Sequence, residues 1–196
     1  MEGLRLIEDA LQSGCEPELL FFTPDAFNHE RLGKMVSKWQ DIAWEVSDNV
    51  MMELTETVTP QGIAAILSLP VLPWPPQATF LLVVDQLRDP GNMGTLLRSA
   101  AAAGVEGVMV PKGSVDAWSD KGLRAGMGAH FRLPIRDGLA WREIEPLLAG
   151  LRVRLADAQG ESSYDEVNWG QPSALIVGGE AEGASQLAIN QASELI

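Results

Sequence analysis

Cysteine, histidine and tyrosine are nearly absent from this chain, which has one Cys, two His and one Tyr in 196 residues. A single thiol, Cys15, makes no internal disulfide and supports no Cys-based zinc cluster, and two histidines offer no ligand spacing for a metal. The expectation is a metal-free site in a reducing, cytoplasmic setting. Basic side chains are scarce as well. There are 14 against 27 acidic ones, a formal net charge of −13, which argues against a simple nucleic-acid coat. Long apolar runs are missing too: the longest, at 78–85, is far short of the ~20 residues of a membrane span. Glu2, Arg5, Glu8 and Asp9 interrupt any signal-like opening. What is there, 46% apolar and 21% charged residues, is the composition of a folded, soluble, acidic intracellular protein.

The clearest boundary is Leu69-Pro70-Val71-Leu72-Pro73-Trp74-Pro75-Pro76, where four prolines in seven residues forbid a helix interior and favour a stiff connector. This predicts a small domain over 1–70, a Pro-rich linker over 71–77 and a second domain over 78–196. In the first, Leu4, Ile7 and Leu11 recur at helical spacing, and Glu18 to Thr23 reads as a buried strand. A helix from His29 to Trp39, a strand over Ile42 to Val46 and helical turns from Asn49 to Leu67 complete a small α/β unit. In the second, strand patterns at Thr79–Val84, Gly107–Val110, Phe131–Ile135, Leu151–Ala156 and Ala174–Val177 alternate with helical stretches at Met93–Gly104 and Trp141–Leu148. Strands apolar on both faces and separated by helices predict a parallel sheet covered on both sides.

Charge is uneven along the chain. Residues 1–76 carry 4 basic and 12 acidic side chains, net −8, whereas Arg88 to Arg136 holds 7 basic and 4 acidic, net +3. The start of the basic stretch overlaps Asp85-Gln86-Leu87-Arg88-Asp89-Pro90-Gly91-Asn92-Met93-Gly94-Thr95-Leu96-Leu97-Arg98. A buried strand ends at Asp85, an Asp-Pro-Gly turn follows, and Asn92 is placed to cap the next helix. Gly94 and Arg98 lie one turn apart, so the glycine is expected to leave room beside the guanidinium. The residues alone also allow an N-cap with an arginine snorkelling at the edge of the core. A loop at the carboxyl end of a parallel strand is where open α/β sheets bind ligands.

The pattern Asn92-x-Gly94-x-x-x-Arg98 resembles the first motif of the SpoU/TrmH branch of the SPOUT RNA methyltransferases. Lys121 to Phe131 resembles the segment that follows it in that family. Leu175-Ile176-Val177-Gly178-Gly179-Glu180-Ala181-Glu182-Gly183 resembles the second motif, a strand running into Gly-x-Glu-x-x-Gly. Three ordered matches are far more specific than one. The resemblance implies a SPOUT-type α/β fold with a parallel sheet and a C-terminal trefoil knot, preceded by a small α/β substrate-binding domain. It implies a homodimer that uses S-adenosylmethionine to methylate a ribose 2′-hydroxyl of rRNA or tRNA.

On that resemblance the catalytic residues are Asn92, Arg98 and Glu180, and the cofactor-binding residues are Gly178, Gly179 and Gly128. Arg98 inherits the role of base; since a free guanidinium stays protonated below pH ~12, a milder role is to position the phosphate and hydroxyl of the target nucleotide. Asn92 would fix the loop, and Glu180 would orient Arg98 or its neighbours. Taken bare, Gly-Gly-Glu is also an ordinary strand-to-helix turn. His130 reads as structural at the start of a strand, and His29 as a surface residue at a helix start. Trp74, Trp118, Trp141 and Trp169 could stack on bases, but most tryptophans are core or interface residues. Family members continue past the equivalent of Leu195-Ile196 into a third motif, Ser-Leu-Asn, and a final helix. A chain stopping before it is expected to lack a complete cofactor pocket, so an inactive fragment or an RNA- or partner-binding remnant stands as the alternative. A third reading makes Asp89 to Gly94 the phosphate cradle of an unrelated nucleotide-binding module.

Overall fold

A computed structural model of the chain describes residues 1–160 and 162–196. The chain divides into two compact units, Met1–Val71 and Leu72–Ile196. Among the described residues no helix is long and apolar enough to cross a membrane.

The first unit opens with helix α1 (Leu4–Gln12), entered through Gly3 at φ +103° and buried along Leu6, Ile7 and Ala10. Strand β1 (Pro17–Phe22) follows, then the single turn α2 (Pro24–Phe27), capped by Thr23 with Pro24 at its first position. Helix α3 (Glu30–Lys38), β2 (Ala43–Glu45) and α4 (Asp48–Leu54) match the expected elements. The expected helical turns to Leu67 do not: Ile63–Leu67 is strand β3, antiparallel to β1, in the sheet order β2-β1-β3. The reason lies in Thr55 to Pro60, where β-branched residues and a proline stop the helix. The apolar run Ile-Ala-Ala-Ile-Leu then has no periodicity to separate helix from strand.

The second unit is built on six parallel strands in the order β6-β5-β4-β8-β7-β9. In chain order these are β4 (Phe80–Val84), α5 (Pro90–Ala102), β5 (Gly107–Pro111), α6 (Asp120–Gly126), β6 (Ile135–Leu139), α7 (Trp141–Ile144), β7 (Arg152–Ala156), β8 (Ser173–Val177), α8 (Gln186–Gln191) and β9 (Glu194–Leu195). The α/β fold and the parallel sheet are as expected. Leu82 and Val84 face one core, filled by Met93, Leu97 and Ala100 of α5. Leu81 and Val83 face the other, filled by Trp141, Ile144, Leu148 and Ala188. A fully buried Leu or Val contributes roughly 1.5–3 kcal/mol, so the doubly covered β4 anchors the unit.

One further expectation is corrected. Phe131–Ile135 is not a strand: Gly128 at φ +80° leads into a 3-10 turn over Ala129–Phe131, and the strand begins after Pro134. β6 is a sheet edge whose Arg136 and Gly138 face solvent, so the apolar run before it marks buried turn rather than strand. Within the second unit the Trp74 ring lies against Gly107 and beneath the Arg136 guanidinium, 4.5 Å away.

Candidate active site

From β4 the chain winds outward through β5 to β6, then crosses to β7 and returns through β8 to lie against β4. The winding direction reverses between β4 and β8, and ligands of open α/β sheets bind at the carboxyl ends of the strands beside such a reversal. The two motif-bearing loops leave these two strands.

At the end of β4, Asp85 is fully buried, and its Oδ2 accepts from the Ser185 backbone N–H at 2.6 Å. Its Oδ1 is buried without a hydrogen-bond partner among the described residues. Gln86 then turns at φ +58°, a left-handed conformation that costs a non-glycine residue of order 1–3 kcal/mol. The surroundings hold it there. An added Cβ on Gly179 would overlap the Gln86 carbonyl oxygen, so only glycine lets the second loop lie on the first. Arg88 donates to the Gln86 Oε1 at 3.0 Å and to the Gly113 carbonyl at 2.7 Å, drawing in the loop after β5.

Asp89, and not Asn92, caps α5: its carboxylate accepts from the Asn92 backbone N–H at 2.9 Å, and Pro90 takes the first helical position. Lys121 pairs with the same carboxylate at 2.6 Å, and these bonds hold the Asp89 carboxyl below its ordinary range. A carboxylate already occupies the helix N-terminus, so this loop is not a phosphate cradle. Asn92 is thereby freed for another role. Its side-chain amide donates to the Glu180 Oε1 at 2.7 Å, joining residues 88 positions apart. That bond is the main reason the Glu180 carboxyl lies below the usual range, with backbone N–H groups assisting, and it keeps Glu180 an anionic acceptor.

The expected space beside Gly94 is filled by the neighbouring helix. A Cβ there would overlap the Gly122 carbonyl oxygen and come within 2.7 Å of the Ala125 Cβ, so the glycine serves the close approach of α5 and α6. Arg98 is exposed, makes no hydrogen bond with Glu180, and lines a different hollow beside Gly126, Met127 and Arg132. The structure thus brings Asn92 and Glu180 together and leaves Arg98 apart. Gly178 packs on Ala184, while Gly179 exchanges backbone hydrogen bonds with Gly183, closing the second loop on itself. Gly128 turns the chain after α6, and no described hydrogen bond links it to Gly178 or Gly179.

His130 is structural, though in a 3-10 turn. It is fully buried, its Nε2–H donates to the Ala117 carbonyl at 2.8 Å, and burial pulls its pKa down. His29 is exposed at the start of α3. Trp141 is core, Trp118 packs on His130, and Trp169 lies over Arg154 and Phe80. Sequence reading missed Asp85, Gln86 and Ser185 as parts of the site. Asp85 ending an apolar run and Ser185 preceding a helical stretch were the available signals.

The architecture is that of an α/β protein whose two motif-bearing loops meet beyond the carboxyl ends of β4 and β8. Residues 79–196 match the SpoU rRNA Methylase family, and residues 1–65 match the MRM3-like substrate binding domain. The chain belongs to the SpoU rRNA Methylase family. It is 42% identical to the mitochondrial rRNA methyltransferase 3 of Homo sapiens over 178 residues, covering 86% of this chain and 42% of that protein. It therefore spans about two fifths of that relative's length. It is 34% identical to the 23S rRNA (guanosine(2553)-2′-O)-methyltransferase RlmP of Bacillus subtilis, covering 93% of this chain and 72% of that protein. The crystal structure of an AdoMet-bound rRNA methyltransferase from Sinorhizobium meliloti superposes with a TM-score of 0.80 at 28% identity, over 100% of this chain and 76% of that one.

Proposed function

We propose that this chain carries the methyl-transfer site of an S-adenosylmethionine-dependent ribose 2′-O-methyltransferase acting on rRNA or tRNA. The observation that carries the reading is the Asn92–Glu180 hydrogen bond, which ties the two motif-bearing loops together where the sheet reverses. The names of the human and Bacillus relatives and the AdoMet-bound structural neighbour support the same reading.

The crevice suits that cofactor. Asp85 Oδ1 is a buried acceptor without a donor, a requirement that the amine and hydroxyl groups of an adenosylated amino acid can meet. Gly178, Gly179 and Gly128 are the proposed cofactor-binding residues, the first two bringing bare main chain to the end of β8. Bound there, S-adenosylmethionine supplies an electrophilic methyl group on a sulfonium sulfur. Asn92 and Glu180 hold the two loops in register, and Glu180 remains an ionised acceptor. A guanidinium in water keeps its protons. Arg98 therefore acts as a donor that fixes the phosphate and 2′-hydroxyl of the target nucleotide for in-line attack. The active form in this reading is a homodimer with a C-terminal trefoil knot, working in a reducing compartment such as the cytoplasm.

Calorimetric titration with S-adenosylmethionine tests the reading: saturable heat and thermal stabilisation are expected, and the absence of both refutes it. Arg98→Ala should abolish methyl transfer to rRNA or tRNA while leaving cofactor binding nearly intact. Loss of cofactor binding in that variant would make Arg98 structural instead.

A further inference from the structure

The cations between Arg88 and Arg136 are not equivalent. Arg88 is held by Gly113 and Gln86, Lys121 by Asp89, and Arg136 lies over Trp74. Arg98 and Arg132 have no hydrogen bond or ion pair among the described residues, are both exposed, and line one hollow of about 340 Å³. Its remaining walls are small or apolar, including Ala101, Val105, Met127 and Leu133, and no carboxylate lines it. The corner that brings Arg132 to the same hollow as Arg98 is built from unusual backbone, Met127 at φ +48° followed by Gly128 at φ +80°. In an acidic chain of net charge −13, two free guanidiniums facing one acid-free hollow are a selective feature.

We propose that Arg98 and Arg132 form a two-pronged clamp for a phosphate group. It rests on the reading above in one respect, that the phosphate belongs to the RNA backbone beside the target ribose. Each guanidinium offers a planar fork of N–H donors that matches phosphate oxygens. A hollow at the small end of the roughly 300–1,000 Å³ range of ligand cavities suits one phosphate and part of a sugar better than a base pair. Arg132 thus becomes a substrate-binding residue that positions the nucleotide together with Arg98.

The clamp is tested on the whole chain by following arginine Nε–H NMR signals during titration with inorganic pyrophosphate and, separately, with a 12-nucleotide single-stranded RNA. The Arg98 and Arg132 signals should shift together, with one affinity, in both titrations, while exposed Arg142 stays still. For the RNA, Arg132→Ala and Arg98→Ala should each lower the slope of log K against log salt by about 0.7, the value for one lost phosphate contact on a single strand. Arg132→Lys should keep the slope and weaken binding. Shifts with pyrophosphate but not with RNA would keep the clamp and refute RNA as its source. If neither ligand moves Arg132, or all exposed arginines move alike, the clamp is overturned; concurrent S-adenosylmethionine binding would show the proposed function standing without it.

Discussion

Replacing Gly94 by alanine puts a methyl group where α5 and α6 touch backbone to backbone. The new Cβ would overlap the Gly122 carbonyl oxygen and lie 2.8 Å from the Gly126 nitrogen and 2.7 Å from the Ala125 Cβ. None of these is the free end of a flexible side chain, so relief requires the helices to part by about 1 Å, given carbon contact distances near 3.5 Å. Overpacking of this kind costs about 1–3 kcal/mol, and a backbone obstacle places the cost near the upper end. Alanine returns about 1 kcal/mol of helix propensity. The net expectation is a loss of about 2 kcal/mol. With a urea slope of about 2 kcal/mol per molar, the midpoint should fall by about 1 M, followed by tryptophan fluorescence. Ser99→Ala, at an exposed position on the same helix, should stay within about 0.5 kcal/mol of the parent. An unchanged or raised midpoint for Gly94→Ala would refute the close-approach argument. Parted helices would also widen the hollow between Arg98 and Arg132, so pyrophosphate affinity should drop in the same variant.

Asn92→Asp sets a carboxylate against Glu180 and should weaken S-adenosylmethionine binding at pH 8 by roughly tenfold, ~1.4 kcal/mol, with recovery on acidification; undiminished affinity at pH 8 would remove the loop tie from the site. For His130, burial keeps the folded pKa below the ordinary value near 6.5, so the unfolded chain takes up its proton first as pH falls. Stability from this group is whole above about pH 6.5 and declines below it, and the drop in Tm from pH 7.5 to 5.5 should be smaller in His130→Gln; equal drops would contradict this. Glu194 is held below the usual carboxylate range by Arg152 and then Arg154, and Arg154 is buried. Glu194→Gln should cost about 1–3 kcal/mol in urea unfolding at pH 7, discounted from a fully buried pair because Glu194 is partly exposed; no shift in midpoint would show that Ser173 and the Asn168 carbonyl suffice for Arg154.

Much of the second unit was legible because its strands are buried on both faces and read as short apolar runs between helical patterns, as Phe80–Val84 and Ser173–Val177 do. β6 was not, because an edge strand carrying Arg136, Asp137 and Gly138 looks like a loop. β3 was lost to a run that fits either periodicity. In the site, resemblance pointed to Asn92 and Glu180, and their contact needed only the adjacency of β4 and β8. Their partners were harder to see. Asp89 and Asn92 both favour caps, and choosing between them takes the backbone angle at Asp89. Gly94 looked like room left beside the Arg98 guanidinium, whereas the backbone of the neighbouring helix fills it. Spacing along one element cannot show what packs against it.

The place of β8 in the sheet has a consequence for how this site comes into being. β8 lies between β4 and β7, yet it leaves the ribosome after both, and Phe80 pairs with Ser173 across more than ninety intervening positions. Until it inserts, the facing edges of β4 and β7 are open, apolar and exposed to association with other chains. Such distant pairing is slow, because loop closure must be met before contacts reward it. The Asn92–Glu180 and Asp85–Ser185 bonds can form only after that insertion. The crevice is therefore a late product of folding, and whatever binds it reads out whether the central strand has arrived.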